Sequence, residues 1–449
     1  MYEDLFRRLL FPFYERVIKR RNTDGFLTQY ERSQWLEPAR LEALQLAKLN
    51  ALLATCWEYV PFYERHWRAA GLSPRPLSTL SDLASYPTID KRAFSENYDE
   101  MRARNFTGRA LMKTTGGSTG DPMRFEYSDE SYARRTAVMW RGYRWGHAEL
   151  GRRTAYLWGV GAPGPGLRGM KDRLYHAAFN RQFLDSFTMT DSNLGDYVAS
   201  LNRFEPEIVV GYVAPLLLVA KWITAHGATV HRPRGILSGA EALHEIDRQI
   251  IERAFQAPVF NTYGCREFML LASECGERRG LHVNADHLVC ETVDRNGLPV
   301  VETSGDVCVT DFHNYAMPFV RYLNGDAATY GTRRCACGRG LPLLESVDGR
   351  VLDVILTPDG RHILGEFFVY VMLGLAYVRQ YQVVQDVIDE LEMKIVADRP
   401  LTEDERRFIT DKIATHTGRA MRIKISEVSS IPLTPSGKRR VTISNLKKT

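Results

Sequence analysis

Apolar positions along the first part of the chain fall at helical spacing. Leu41, Leu44, Leu46, Leu49, Leu52 and Leu53 recur between Arg40, Glu42 and Lys48, the pattern of an amphipathic helix. Residues 1 to about 70 read as helices. Pro61 ends that run, and Gly71 to Asp90, rich in Pro, Ser and Leu, reads as a connector. From Leu111 the period changes. Leu111–Thr114 and Met123–Tyr127 are short strand-like runs on either side of a Gly/Ser/Thr loop. Further on, short apolar runs alternate with helices. Ile208–Val210, Gly235–Ser238 and Pro258–Phe260 read as strands. Pro215–His226 reads as a helix with proline in its first turn, and Leu243, Ile246, Ile250 and Ala254 mark the face of another. This spacing predicts a parallel sheet layered with helices.

After Gly297 the texture is β-rich. A joint falls at Asp348-Gly349-Arg350. Beyond it, Glu390–Val396 and Met421–Val428 alternate polar with apolar. Thr402-Glu403-Asp404-Glu405 is a capping box that opens a helix to about His416, with Gly418 able to close it. The expected fold is α/β: a large layered N-terminal domain with parallel-sheet βα units and a β-rich part (1–348), a joint (349–353) and a small α+β C-terminal domain (354–449). No internal repeat or low-complexity segment interrupts this organisation.

Composition narrows the class. With 44% apolar and 25% charged residues, the chain is an ordinary globular protein, which excludes disorder, collagen and coiled coil. At 449 residues it can bury a large core without disulfides. A formal net charge of +5 over that length is too thin by itself to imply nucleic acid or an anionic membrane. Met1 to Arg21 is apolar but broken by Glu3, Asp4, Arg7, Arg8, Glu15 and Arg16, so it reads as no signal peptide. Val213 to Ala225 is too short to span a bilayer and contains Lys221. Seven unevenly spaced cysteines make no disulfide scaffold, and a reducing cytoplasm is the default expectation.

Thr114 to Gly120 packs four hydroxyls and three glycines into seven residues. Glycines let backbone N–H groups converge on an anion, and hydroxyls add donors. The loop reads as a phosphate cradle or as a plain hairpin turn. It is no Walker loop, because the lysine after the last glycine is missing. Gly159-Val160-Gly161-Ala162-Pro163-Gly164 matches a dinucleotide fingerprint in letters, with Asp185 at about the right distance. Pro163 and Pro165 nevertheless continue a loop where that motif needs a helix.

Four further segments follow in order: Ser238-Gly239-Ala240-Glu241, Asn261-Thr262-Tyr263-Gly264-Cys265-Arg266-Glu267, Arg321-Tyr322-Leu323-Asn324-Gly325-Asp326 and Pro435-Ser436-Gly437-Lys438-Arg439. With the Gly/Ser/Thr loop and Val60-Pro61-Phe62-Tyr63, they make the chain resemble the adenylate-forming superfamily from about residue 30 to the end. More narrowly, it resembles the phenylacetate–CoA ligase-like branch, including proteins of capsule-polysaccharide clusters. The resemblance implies a two-step ligase that uses ATP, Mg²⁺ and coenzyme A, with a mobile C-terminal domain. It implies that Thr114, Thr115, Gly116, Gly117, Ser118, Thr119 and Gly120 cradle the β- and γ-phosphates, and that Tyr263, beside Gly264, stacks on adenine. Gly239, Ala240 and Glu241 would lie by the adenine and acyl pocket. Glu267 would help hold Mg²⁺, Asp326 would bind the ribose hydroxyls, and Arg350 would sit by the nucleotide at the joint. Lys438 would bridge the substrate carboxylate and the α-phosphate. Glu267, Arg350 and Lys438 are thus the catalytic candidates. Read without the resemblance, Glu267 is a helix-start carboxylate, Asp326 a turn residue and Lys438 a solvated charge. Leu352 stands where relatives carry an acidic hinge residue, which leaves the pivot unassigned.

Cys275, His282, Cys335 and Cys337 offer three thiols and an imidazole, the ligand type and number of a structural Zn²⁺ site. His287 and Cys290 are substitutes in that set; buried thiols or a redox pair are the rival readings. Cys56, Cys265 and Cys308 read as packed. Some relatives in the resembled branch share the Cys…His…Cys-x-Cys pattern. The expected reaction is activation of a carboxylic acid as acyl-adenylate, then transfer to coenzyme A, with an aryl or arylacetic acid favoured. By resemblance the acid pocket lies near Trp140 to Trp145, Tyr212 to Pro215 and Ser238 to Ala240. Alternatives are an amine or hydroxyl acceptor, or a zinc-stabilised binding protein on a decayed ligase scaffold. The expected partner is a small acid, with no nucleic acid, no membrane span and, from base rates, a homodimer.

Overall fold

The computed structural model describes residues 2–114, 123–158, 166–186, 189, 192–239, 241–350, 355–359, 362–363, 368, 371–372, 375, 377–418, 420–432 and 441–446, the side chains of 166–169, 349–350, 362, 379 and 416 excepted. The chain divides into two compact units, Met1–Asn324 with Ala328–Val347, and Gly325–Ala327 with Asp348–Thr449.

The first unit begins with helices, as the leucine spacing predicts. A helical run over residues 2–18 precedes Thr23–Ser33, Pro38–Tyr59 and Pro61–Ala69. Pro61 does more than end a helix. It pushes Val60 into an extended conformation (φ −112°, ψ 101°), as proline does to the residue before it, and then sits in the first turn of the next helix. The connector that follows contains a 3₁₀ segment, Leu80–Ser85, closed at its start by a Thr79/Asp82 capping box.

The strands of this unit are β1 (Ala110–Thr114), β2 (Arg124–Ser128), β3 (Thr154–Trp158), β4 (Arg181–Asp185), β5 (Ile208–Tyr212), β6 (Gly235–Gly239), β7 (Val259–Tyr263), β8 (Ala272–Glu274), β9 (Leu281–Val283), β10 (Leu288–Val293), β11 (Ser304–Asp311), β12 (Tyr322–Gly331) and β13 (Leu343–Arg350). β1 and β2 form an antiparallel hairpin. The rest form one sheet in the order β10-β11-β12-β13-β9-β8-β7-β6-β5-β3-β4. The run from β7 to β4 is parallel; β8 and β9 pair antiparallel. Every residue of β5 and β6 is buried, as expected for strands covered on both faces. The β-rich part thus begins at β8, earlier than the Gly297 boundary read from the sequence. The helix Val213–His226 fills its βα crossover and ends on Gly227 at φ +57°, where only glycine sits without strain.

The second unit carries β14 (Ile355–Leu356), β15 (His362–Ile363), β16 (Val378–Val387), β17 (Glu390–Ala397), β18 (Arg422–Glu427) and β19 (Thr442–Ser444). Its main sheet has the order β18-β17-β16-β19. Leu391, Met393 and Ile395, alternate residues of β17, are buried with Ile409 and Ile413 of the helix Glu403–Thr417. The Thr402/Glu405 capping box opens that helix, as the sequence indicates.

Candidate active site and metal centre

Trp158, Tyr212, Gly239 and Tyr263 end β3, β5, β6 and β7. β3 is flanked by β4 and β5, so the sheet order reverses there. Such a reversal opens a crevice at the carboxyl ends of parallel strands. The Trp158 and Tyr212 rings stand 4.1 Å apart between centroids at that edge. One strand over, a Cβ on Gly239 would come within 2.9 Å of Thr262 Oγ1. Glu241 Oε2 accepts the Ala214 N–H at 2.7 Å, in the first turn of Val213–His226, where a carboxylate is favoured by the helix dipole.

Tyr263 is buried, and its hydroxyl accepts a hydrogen bond from Asn324 Nδ2 at 2.8 Å. At Gly264 a Cβ would lie 1.9 Å from the Met269 carbonyl oxygen, so the chain can turn back only without a side chain. The turn delivers Glu267 into a buried position, where Tyr322 donates to Oε1 at 3.1 Å. Burial, then the neighbouring Glu267, hold the Tyr322 phenol well above its ordinary value, so it stays a donor. Two groups clamp this segment: Tyr127 donates to the Arg266 carbonyl, and Arg135 donates to the Glu267 carbonyl while pairing with Asp311. The Arg135 guanidinium also lies over the Tyr127 ring, 4.0 Å from its centroid.

Among the described residues, five carboxylates are buried: Glu15, Glu267, Glu274, Asp286 and Asp311. Four pair with arginine, through Arg21, Arg248, Arg141 and Arg135. Glu267 has no ion-pair partner among the described residues. A buried carboxylate without a cation is costly, and its two oxygens are the hard donors that Mg²⁺ takes.

The structure therefore gathers Gly239, Glu241, Tyr263, Gly264 and Glu267 on adjoining strand ends. Thr114 ends β1 opposite Arg124. Asp326 lies on β12, in the short segment Gly325–Ala327 that groups with the second unit. Arg350 ends β13, its side chain outside those described. Thr115, Gly116, Gly117, Ser118, Thr119, Gly120, Ala240, Lys438, the Gly159–Gly164 run and Leu352 lie outside the described residues. Trp140 and Tyr143 pack in a core cluster with Phe6, Phe11 and Phe179, the role of ordinary core aromatics. The sequence reading assigned no role to Arg135, Tyr127, Tyr322, Asn324 or Trp158. Arg135 could have been found by face-counting: Ser131, Arg135, Val138, Arg141 and Trp145 form one buried stripe of the helix Asp129–Trp145.

Cys275, His282, Cys335 and Cys337 converge, their ligand atoms all within 4.8 Å of one another. Cys275 and Cys335 Sγ are 3.6 Å apart, and Cys337 Sγ is 3.3 Å from His282 Nε2. With metal–sulfur bonds of about 2.3 Å, tetrahedral geometry puts sulfurs about 3.8 Å apart, so the donors fit Zn²⁺. His282 Nδ1 donates to the Leu341 carbonyl at 3.2 Å, which leaves the Nε2 lone pair free. Burial pushes His282 down to about 4, keeping it neutral. Burial raises Cys337, but the Arg339 backbone N–H and guanidinium outweigh it and favour the thiolate. His287 and Cys290 take no part in this cluster: His287 meets the Tyr30 hydroxyl at 2.8 Å, and Cys290 is buried on β10.

Comparison with known proteins places the chain among acid–coenzyme A ligases by sequence likeness and fold. The chain is 27% identical over 404 residues to a phenylacetate–coenzyme A ligase of Thermus thermophilus, covering 86% of this chain and 89% of that one. It is 24% identical to the CapK protein of Staphylococcus aureus, covering 86% and 85%. Over most of its length the chain is similar to the phenylacetate–CoA ligase-like branch of the adenylate-forming superfamily. The family description "CapK C-terminal domain" matches residues 355–445. The fold is that of a crystal structure of 2-hydroxyisobutyryl-CoA ligase in the postadenylation state, with a TM-score of 0.75 at 18% identity and 92% of each chain covered.

Proposed function

We propose that this protein is an AMP-forming acid–coenzyme A ligase that activates an aryl or arylacetic acid. In the first step a carboxylate oxygen attacks the α-phosphorus of ATP, the Pα–O bond to the β-phosphate breaks, and pyrophosphate leaves. In the second step the coenzyme A sulfur attacks the acyl carbon, the thiol proton is lost, and AMP leaves. The observation that carries this reading is Glu267: a buried carboxylate with no arginine or lysine partner among the described residues, on the segment just after the Tyr263 strand end. Glu267 would hold Mg²⁺, which neutralises phosphate charge when bound. Tyr322 and Arg135 fix where that carboxylate points. Tyr263, pinned by Asn324, offers its ring to adenine, and Asp326 pairs with the ribose diol. Lys438, carried over from the family motif, offsets the repulsion between two anions as they meet. Trp158 and Tyr212 offer flat apolar surface to an aromatic acid at the crevice.

Cys275, His282, Cys335 and Cys337 would hold a structural Zn²⁺, four ligands leaving no open position for catalysis. Acid-dependent ATP–pyrophosphate exchange over aryl, arylacetic, fatty and amino acids tests the reading. Exchange with an aryl class, lost in Lys438→Ala, with thioester formed only on adding coenzyme A, is the expected result. Exchange followed by transfer to an amine or hydroxyl would replace the acceptor. No exchange and no thermal shift with ATP would end the enzyme reading. Metal analysis of pure reduced protein should give one zinc per chain.

A further inference from the structure

The helical run over residues 2–18 carries an apolar stripe left exposed among the described residues. It alternates α segments, Tyr2–Leu5 and Phe11–Phe13, with π-helical turns, Phe6–Leu10 and Tyr14–Ile18. In an α-helix, positions four apart drift one way around the axis, and in a wider π turn they drift the other way. Alternation of the two keeps Leu5, Leu9, Phe13 and Val17 in line. These residues are 46%, 61%, 58% and 59% exposed, far above what packed side chains of their kind show. The opposite side of the run is anchored. Phe6 and Phe11 are buried against Phe179, and Tyr14 packs on Tyr175, so the helix Gly166–Ala178 lies alongside. That helix adds Met170 and Leu174, four residues apart and 52% and 64% exposed. Two neighbouring helices thus present apolar residues to solvent in one part of the first unit.

The charge around the stripe selects what it meets. Residues 1–21 hold six Lys and Arg against three Asp and Glu, more than half of the chain's formal +5. Arg8, Arg16, Lys19 and Arg20 are exposed. A second copy of this face would bring like charge against like charge. An anionic bilayer surface would take the apolar stripe into its headgroup boundary while the long basic side chains reach the lipid phosphates. Among the described residues no helix is long and apolar enough to cross a membrane, so the contact is one of lying on the surface. We propose that the run over residues 2–18, with the helix Gly166–Ala178 beside it, is a docking face for an anionic lipid bilayer.

The test is flotation of the full chain with phosphatidylcholine vesicles, with and without about one-third phosphatidylglycerol. Binding to the anionic vesicles only, reduced at least tenfold by the exposed double change Leu9→Glu/Phe13→Glu and weakened by added salt, is the expected result. Arg8→Glu/Lys19→Glu should weaken it with the apolar stripe intact. Unchanged far-UV circular dichroism excludes unfolding of these variants, and Leu174→Glu on the second helix should reduce binding independently. Absence of binding to anionic vesicles, or equal binding by the variants, would overturn the proposal. A concentration-dependent dimer in sedimentation equilibrium, broken by Leu9→Glu/Phe13→Glu in protein that ignores vesicles, would overturn it in favour of a second copy.

Discussion

Asp286 and Glu267 are both buried carboxylates of the first unit, and their surroundings are opposite. Asp286 is fully buried and met by Arg141 at 2.5 Å and 2.9 Å, with Ser33 donating to the same carboxylate. Arg141 also reaches the Tyr30 carbonyl and Asn284 Oδ1. Every formal charge there is answered. Among the described residues the Glu267 carboxylate receives one hydrogen bond, from the Tyr322 phenol, although Arg135 sits close enough to hold its carbonyl. Arg135 is committed to Asp311 instead. A closed ion pair ties helices to strands and serves the fold. A buried carboxylate that no arginine or lysine among the described residues answers is the candidate cation holder proposed above.

The comparison can be broken at either end. The largest effect on stability is expected from Arg141→Ala, which strands Asp286 without a partner. Urea unfolding should lose about 3–5 kcal/mol, the usual cost of breaking a buried pair. If the loss is under about 1 kcal/mol, the pair is no scaffold. Glu267→Gln should leave unfolding nearly unchanged, because it removes a buried charge and keeps the acceptor for Tyr322. Its rate of adenylate formation should fall roughly 10²-fold, about 2.7 kcal/mol, as when a preorganised electrostatic group is removed. A large loss of stability with normal exchange would instead make Glu267 another structural carboxylate.

Lys48 sharpens the comparison from the cationic side. Its ammonium donates to the Asp286 carbonyl at 2.6 Å, and burial lowers its pKa to about 8. A lysine depressed in the fold makes its full contribution above its unfolded pKa of about 10.4, and loses it as pH falls toward 8. At neutral pH the charged form therefore opposes folding. Lys48→Met should stabilise the protein there by at most about 3 kcal/mol, less whatever the lost hydrogen bond costs. The advantage should shrink as unfolding is followed from pH 8 to pH 10. A constant difference across that range would show that desolvation of Lys48 is not its source.

Some of this was open to reading in the sequence, because it is local. The leucine period gave the N-terminal helices. The alternation from Glu390 to Val396 gave β17, and Thr402 with Glu405 gave the start of the helix Glu403–Thr417. These signals need only neighbours a few residues away. The four metal-type residues could be named from their chemistry, since three thiols and an imidazole are few in kind. Their convergence spans 62 positions and is a property of the sheet, in which β8, β9 and β13 stand side by side.

Tertiary structure alone decided which charges are answered. In the sequence, Arg135 and Arg141 are two of several arginines on one polar-looking helix, and Glu267 is one of 54 acidic residues. Burial makes them differ, because the free energy of a charge depends on what surrounds it and not on its place in the chain. The N-terminal run teaches the same lesson in reverse. Its letters show an apolar segment broken by charges, which reads equally as packed or exposed. Phe179 and Tyr175, more than 150 residues away, cover one side and leave the other open. The sequence determined the elements and the chemistry on offer. Packing between distant segments determined which of that chemistry is spent on the fold and which is left for a ligand, because only the assembled core sets burial and pairing.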